Sequence, residues 1–223
     1  MSAMPRSTPI TKAPINKALG RPRDVDSATT RRDLLDGARR IFARDGFEAT
    51  TNRSIAAEVG ITTGAIYHYF PSKAELFAAV YDQAQIIVYD GFERAVSGPG
   101  TLTERFQRLL DAAVEFNHHD PSLGGFLVTV PLEVQRHPEL AELMDPRRGR
   151  SGGFIAELVA TATANDEFAE GVQPQAVEDI IAIVMSGLAI FSTITGDAER
   201  HAAAVRALRL FLEGALVRRP TQS

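Results

Sequence analysis

Cysteine is absent from this chain. Its absence excludes a thiolate nucleophile, a disulfide framework, a cysteine-ligated zinc site and an iron–sulfur cluster, and it suits a reducing cytoplasm. Residues 1–30 contain Pro, Lys and Arg but no apolar run of the length an export signal needs, so the expected location is cytoplasmic. The longest stretch without a charge, Ile180 to Gly196, spans 17 residues and is diluted by Ser186, Gly187, Ser192, Thr193, Thr195 and Gly196. A bilayer span wants about 20 predominantly apolar residues. No membrane partner is therefore expected, and the stretch reads as a deeply buried helix. No window alternates as a strand would, and no segment repeats.

Enzyme signatures are also missing. No Gly-x-Ser-x-Gly turn occurs, and Ser151-Gly152-Gly153 follows no strand and reads as a flexible linker. Gly124-Gly125 and Gly149-x-x-Gly152 lack the strand–loop–helix context of a nucleotide-binding loop. Adjacent His118 and His119 point about 100° apart on a helix and cannot chelate as an i, i+4 pair would. No enzymatic activity, metal or cofactor is expected.

What is present is a chain of 223 residues, 44% apolar and 23% charged, enough for one compact domain or one domain with a small appendage. The formal net charge of −4 conceals an asymmetry: residues 1–73 hold 12 basic and 7 acidic side chains, and residues 74–223 hold 12 and 21. A basic front on an acidic remainder suggests an anion-binding module first, with nucleic acid as its first candidate partner. Residues 1–26, with Pro5, Pro9, Pro14 and Pro22, read as a flexible basic arm. Its Gly20-Arg21-Pro22-Arg23 end is of the kind that enters a narrow minor groove.

From Ser27 to Asp45, Leu34, Leu35, Ala38, Ile41 and Phe42 recur at helical spacing, and Gly46 stops the helix. Asn52 to Val59 makes a short second helix, broken by Gly60. Ile61, Ile66 and Phe70 mark a third, ending before Pro71. Two short helices joined around a glycine cross steeply, and the second can enter a major groove. On the third helix Ile66 and Phe70 share one side, with Gly64, Tyr67 and His68 opposite. Beyond Pro71, Ser72-x-x-Glu75 and Thr101-x-x-Glu104 are capping boxes that open helices to about Val96 and Asn117. Further helices are expected from Asp120-Pro121 to Gln135, from about Pro138, from Phe154 to Ala164, and over about 175–195 and 198–217. The fold class is all-α.

The segment Thr51, Ile55-Ala56, Gly60-Ile61-Thr62, Gly64, Ile66-Tyr67, Tyr69-Phe70, Lys73 and Leu76 resembles the DNA-binding domain of the TetR family of transcriptional regulators. The resemblance implies a helix-turn-helix domain over residues 27–73 and a ligand-binding and dimerisation domain over 74–223. It implies a ligand-responsive regulator, a repressor by default, that binds a palindromic double-stranded DNA operator as a homodimer and is released by a small, largely apolar effector; the alternatives are an architectural DNA-binding protein without an effector and, behind it, an all-α enzyme. By position, Arg53 and Thr63 would read base edges; Thr51, Thr62, Tyr67 and Lys73 would hold phosphates; Gly64, His68 and Tyr69 complete the surface. Where some members have two basic residues, Asn52-Arg53 has one.

The acidic remainder supplies Phe92, Phe106, Phe116, Phe126, Met144, Phe154, Met185 and Phe191, mostly core. A subset would line the effector pocket. The candidates are Tyr89, Phe92, Phe116, His118, Phe126, Gln135, Met185 and Phe191, with Asn117 and Arg136 as further polar groups. The pairing surface is expected on the helices about 175–195 and 198–217. Ala182, Ser186, Gly187 and Ala189 would allow close approach there, Ile183, Leu188, Ile190 and Phe191 would add apolar area, and the next helix would add Ala202, Val205, Leu208, Leu212 and Ala215. Two recognition helices would then stand roughly 34–36 Å apart, one duplex turn.

Overall fold

A computed structural model describes residues 23–144 and 149–216. Residues 1–22 of the expected arm, with Gly20, Arg21 and Pro22, lie outside the described residues. Among those described there are ten helices and no strand: α1 Arg23–Ala49, α2 Asn52–Val59, α3 Thr63–Tyr69, α4 Lys73–Val96, α5 Leu102–His119, α6 Ser122–Arg136, α7 Pro138–Met144, α8 Gly149–Ala164, α9 Pro174–Thr195 and α10 Ala198–Leu212. The all-α expectation holds.

The sequence signals account for most helix ends. Thr101 and Glu104 form both halves of a capping box, and the Ser72 hydroxyl accepts the Glu75 N–H at 3.1 Å. Gly46 does stop α1 in the geometric sense, since its φ of 76° is left-handed, but one more turn follows before Thr50. The first helix begins at Arg23, four residues before the expected Ser27. The last ends at Leu212 instead of about 217, so Ala215 lies beyond it. Ser151-Gly152-Gly153 is no linker. It lies inside α8, because Phe154, Leu158, Val159 and Ala162 bury one face of that helix and offset the poor propensity of its three leading glycines.

One apolar core runs through the molecule. Its centre is Phe42 on α1, Phe77 on α4 and Phe126 on α6, all fully buried, with ring centroids 5.0 Å apart for Phe42–Phe77 and for Phe77–Phe126. Aromatic pairs at this separation add roughly 0.5–1.5 kcal/mol each beyond the area they bury. The helix-turn-helix segment is thus fastened to the remainder through α1 and α4, which both pack on α6.

The expectation for Ile180–Gly196 needs correcting. In α9 only Ile181 and Ser192 are buried, while Ile180 is 54% exposed, Ile183 65%, Ile190 47% and Ile194 78%. With Gly187 these residues follow i, i+3, i+7, i+10, i+14, one stripe on one face. The rest of α9 packs on α6, α8 and α10. The chain therefore leaves one side of the helix uncovered, and a run without charges is consistent with an interface as well as with a core. By length and apolarity the Pro174–Thr195 helix also meets the measure of a membrane span.

Candidate nucleic-acid interface and cavity

The helix-turn-helix is held by bonds between neighbours in sequence. At the start of α2 the Thr51 hydroxyl accepts the Ser54 N–H and the Ser54 hydroxyl accepts the Thr51 N–H, each at 3.1 Å. This is a reciprocal cap with serine in the place usually held by glutamate. Gly60 ends α2 at φ 74°, a conformation glycine adopts without strain. Thr62 then caps α3, accepting the Ala65 N–H at 3.2 Å. A hydroxyl that accepts in a cap keeps its proton to donate to a phosphate. α1 and α2 touch so closely that a Cβ on Gly37 would lie 2.3 Å from Val59 Cγ2, and Arg40 pairs with Glu58 at 3.2 Å.

Ile55, Ala56, Ile66 and Phe70 face inward. Thr51, Arg53, Thr62, Thr63, Gly64 and His68 are exposed, and Tyr67 is 57% exposed although it is a large aromatic residue. A Cβ on Gly64 would meet nothing nearer than 3.8 Å, so its backbone is open to close approach. Tyr69 is half-buried and packs edge-on against His68, ring centroids 5.4 Å apart. Eight of the nine expected DNA-binding residues thus lie on α2, α3 and their N-caps, seven of them exposed and Tyr69 half-buried.

Lys73 is the exception. Its ammonium donates to the carbonyls of Phe47 at 2.7 Å, Thr50 at 3.0 Å and Glu48 at 3.4 Å, and lies 4.2 Å from the centre of the Phe47 ring. In this geometry it ties the end of α1 to the start of α4. A cation gathering three carbonyls stabilises the break at Gly46, and the phosphate role read from the sequence does not match that placement.

A cavity of about 490 Å³ lies between α4, α5, α6, α8 and α9, with His201 from α10 in its wall. Of the expected pocket residues, Tyr89, Phe92, Phe116 and Met185 line it. His118, Phe126, Gln135 and Phe191 do not. His118 and Gln135 are exposed, Phe126 belongs to the aromatic centre of the core, and Phe191 packs under Arg200 at 5.3 Å. Asn117 lines the cavity, and Arg136 is exposed. Glu115 and His118 share Glu-x-x-His spacing but are both exposed, and among the described residues no three His, Asp or Glu gather as a metal site would require. Sequence reading also missed Gln85, Ser151, Ser192 and His201 as wall residues. Only the small residues Ser151 and Gly152 at the start of a helix hinted at open space.

The polar groups of the wall are held in pairs. Ser192 donates to Asn117 Oδ1, and Tyr89 is hydrogen-bonded to Ser151, with burial pushing the Tyr89 phenol above its ordinary value. Burial likewise lowers the His201 imidazole, which is 2% exposed. Beside the cavity, Pro121 lies between Asp120 and Ser122, and these two reach Arg39 of α1. Arg39, 3% exposed, donates to Asp120 at 2.6 Å, Ser122 at 3.1 Å, Asp36 at 2.9 Å and Gln83 at 3.2 Å. One guanidinium thus joins α1, α4 and the α5–α6 corner of the cavity.

Comparison with known proteins bears on this geometry. A family model described as bacterial regulatory proteins, tetR family, matches residues 34–80, and one described as BetI-type transcriptional repressor, C-terminal, matches residues 102–217. The transcriptional repressor AcnR of Corynebacterium diphtheriae is 46% identical, covering 61% of this chain and 85% of that relative. The regulator UidR of Escherichia coli K12 is 22% identical, covering 86% of this chain and 95% of the relative. The structure of FadR from Bacillus subtilis in complex with stearoyl-CoA superposes with a TM-score of 0.65 at 14% identity over 83% of this chain and 99% of that one, a likeness of fold. An N-terminal helix-turn-helix, a helical remainder around a cavity and matches of both segments to models of bacterial transcriptional regulators lead to one conclusion: the chain belongs to the TetR family of transcriptional regulators.

Proposed function

We propose that the protein is a cytoplasmic repressor that binds an inverted-repeat operator as a homodimer and leaves it when a small, largely apolar molecule fills the 490 Å³ cavity. Residues 27–73 bind DNA; residues 74–223 bind the effector and pair the protomers. The observation that carries this reading is the outward face of α2–α3, where Arg53, Thr63, Gly64, Tyr67 and His68 stand exposed above a fully packed inner face. Arg53 takes guanine O6 and N7, Thr63 a base edge, and Thr51, Thr62 and Tyr67 the phosphates.

The stripe Ile180, Ile183, Gly187, Ile190 and Ile194 forms the two-fold contact with the exposed Leu210, Phe211 and Leu212 of α10. Nothing lies within 4 Å of a Cβ on Gly187, so a second helix can approach there. This revises the residues read from the sequence. Val205 is 2% exposed and belongs to the protomer core, and Leu188 and Ala182 are half-buried in the cavity wall, whereas Ile190 borders the cavity and is still 47% exposed. An effector that favours the cavity-filled state over the DNA-bound state shifts the population by its differential affinity. The corner held by Arg39 is the path by which α1 senses it.

The test is selection of bound sequences from random duplexes, followed by binding across salt concentrations. An inverted repeat should emerge, with affinity falling steeply as salt rises. Arg53→Ala should lose roughly 1–3 kcal/mol of discrimination at one position of each half-site. Gly187→Arg should sediment as a helical monomer and lose operator binding. Equal affinity for random and selected duplexes would refute the reading.

A further inference from the structure

The cavity wall is apolar with a few neutral polar groups. Tyr89, Phe92, Phe116, Met185 and Leu188 make it apolar, and among the described residues no Asp, Glu, Lys or Arg lines it. The polar groups that do line it, among them Gln85, Asn117, Ser151, Ser192 and His201, are neutral amides, hydroxyls and an imidazole. Arg150, next to Ser151, is engaged by both Asp90 and Glu93 and so brings no net positive charge to that corner.

One hydrogen-bonding group of this wall lacks its usual partner. His201 Nδ1 is buried and has no hydrogen-bond partner among the described residues. Buried polar groups are satisfied as a rule, so the imidazole of His201, which lines the cavity at 2% exposure, is the wall group with hydrogen-bonding capacity left for a bound molecule, through whichever ring nitrogen turns to it.

We propose that the cavity takes an uncharged, mostly apolar molecule carrying a neutral hydrogen-bonding group, such as an alcohol, phenol, ketone or ester, with that group bonded to His201. The proposal rests on the reading that this cavity is the effector site. A carboxylate, phosphate or ammonium would leave water without an opposite charge in the wall to receive it. His201 is suited to a neutral partner because its burial favours the neutral imidazole, which both donates and accepts. The volume of about 490 Å³ lies in the lower half of the roughly 300–1,000 Å³ that hold a single small ligand.

The experiment displaces the neutral dye Nile red from the full-length dimer with a matched series on one alkyl chain of about ten carbons: the alcohol, the methyl ester, the carboxylate and the ammonium. Ala113→Phe, which fills the cavity, reports whether displacement occurs there. The alcohol and ester should bind at least about tenfold tighter than either ion in the wild type. His201→Leu should weaken the alcohol about tenfold while leaving dye affinity within about twofold, and its melting temperature shows that it folds. Displacement blocked by Ala113→Phe but strongest for an ion would overturn the neutral class and leave the effector cavity standing. Displacement of every member unaffected by a folded Ala113→Phe would remove the effector cavity itself and this inference with it. Equal weakening of dye and alcohol by His201→Leu would overturn the role of His201.

Discussion

In the α2–α3 pair, hydroxyls of Thr51, Ser54 and Thr62 close the helix starts, Gly60 closes the α2 end, and Gly37 lets α1 lie against Val59. Across the molecule α6 carries Gly124, Gly125 and Pro131 along a cavity of about 490 Å³. The helix ends of the first region are closed by bonds a few residues long, and the second is built from helices that pack on one another around a cavity. A surface that reads base edges needs side chains fixed to a fraction of an ångström, and here short-range caps set the helix ends while α1 holds α2 in place. A cavity has to be held open from outside. Here the Phe42–Phe77–Phe126 centre on one side and the Asp120–Arg39 contact at the corner hold it. The two regions meet in Arg39, and the predictions test how far each is independent of the other.

The largest effect is expected at that joint. Arg39→Met would leave Asp120 and Asp36 without their shared cation. Breaking a buried pair costs about 3–5 kcal/mol, and since each carboxylate side chain is 31% exposed the expected loss is about 2–4 kcal/mol. Urea unfolding should show a lower midpoint at unchanged slope. A midpoint within experimental error of the wild type would show that the regions are not fastened here.

Next come two glycines chosen to contrast a filled region with a hollow one. A Cβ at Gly37 would lie 2.3 Å from Val59 Cγ2, and a Cβ at Gly91 would lie 2.2 Å from Phe116 Cζ. Val59 is a stiff β-branched residue in a tight helix contact, so Gly37→Ala should cost roughly 1–3 kcal/mol. Phe116 borders the cavity and can swing into it. Gly91→Ala should therefore cost less than about 1 kcal/mol and weaken dye binding instead. Similar losses of stability from both would erase the contrast.

Smaller still is the effect of the caps. Thr51→Ala and Thr62→Ala should each cost about 1 kcal/mol, read by thermal unfolding, with little change in dye binding. A change in dye affinity would show that the short-range bonds reach the cavity after all.

The smallest effect is in pH. Burial alone would raise the Asp120 carboxyl, but the Ser122 hydroxyl, the charge and hydrogen bonds of Arg39 and the Ser122 N–H outweigh it and hold the group below its ordinary value. The folded protein then binds fewer protons at this site than the unfolded chain, so the contribution is present above the ordinary carboxylate range and is lost as pH falls through the lowered folded value. The stability difference between wild type and Asp120→Asn should be constant from pH 7 to about 5 and shrink below about 4. A difference unchanged at low pH would show that the carboxylate does not sense Arg39.

The sequence by itself determined the ends and faces of α2 and α3. Thr51, Gly60, Thr62 and Pro71 act on their own neighbours, and the spacing of Ile66 and Phe70 decides which face turns inward, so Tyr67 and His68 could be placed outward without any distant contact. It also determined Thr101–Glu104 and the all-α class, for the same reason of short range. Tertiary structure alone decided where Lys73 points, because the carbonyls that gather it lie 23 to 26 residues earlier in the chain. It alone decided that Phe126 joins Phe42 and Phe77 while Phe116 borders the cavity, since apolar spacing marks an inward face but not what that face meets. It decided, too, that His201 lies in the cavity wall and that α9 shows Ile183 and Ile194 to the outside. Periodicity reports burial against something; which neighbour, which void or which second copy supplies it is a property of the packed whole.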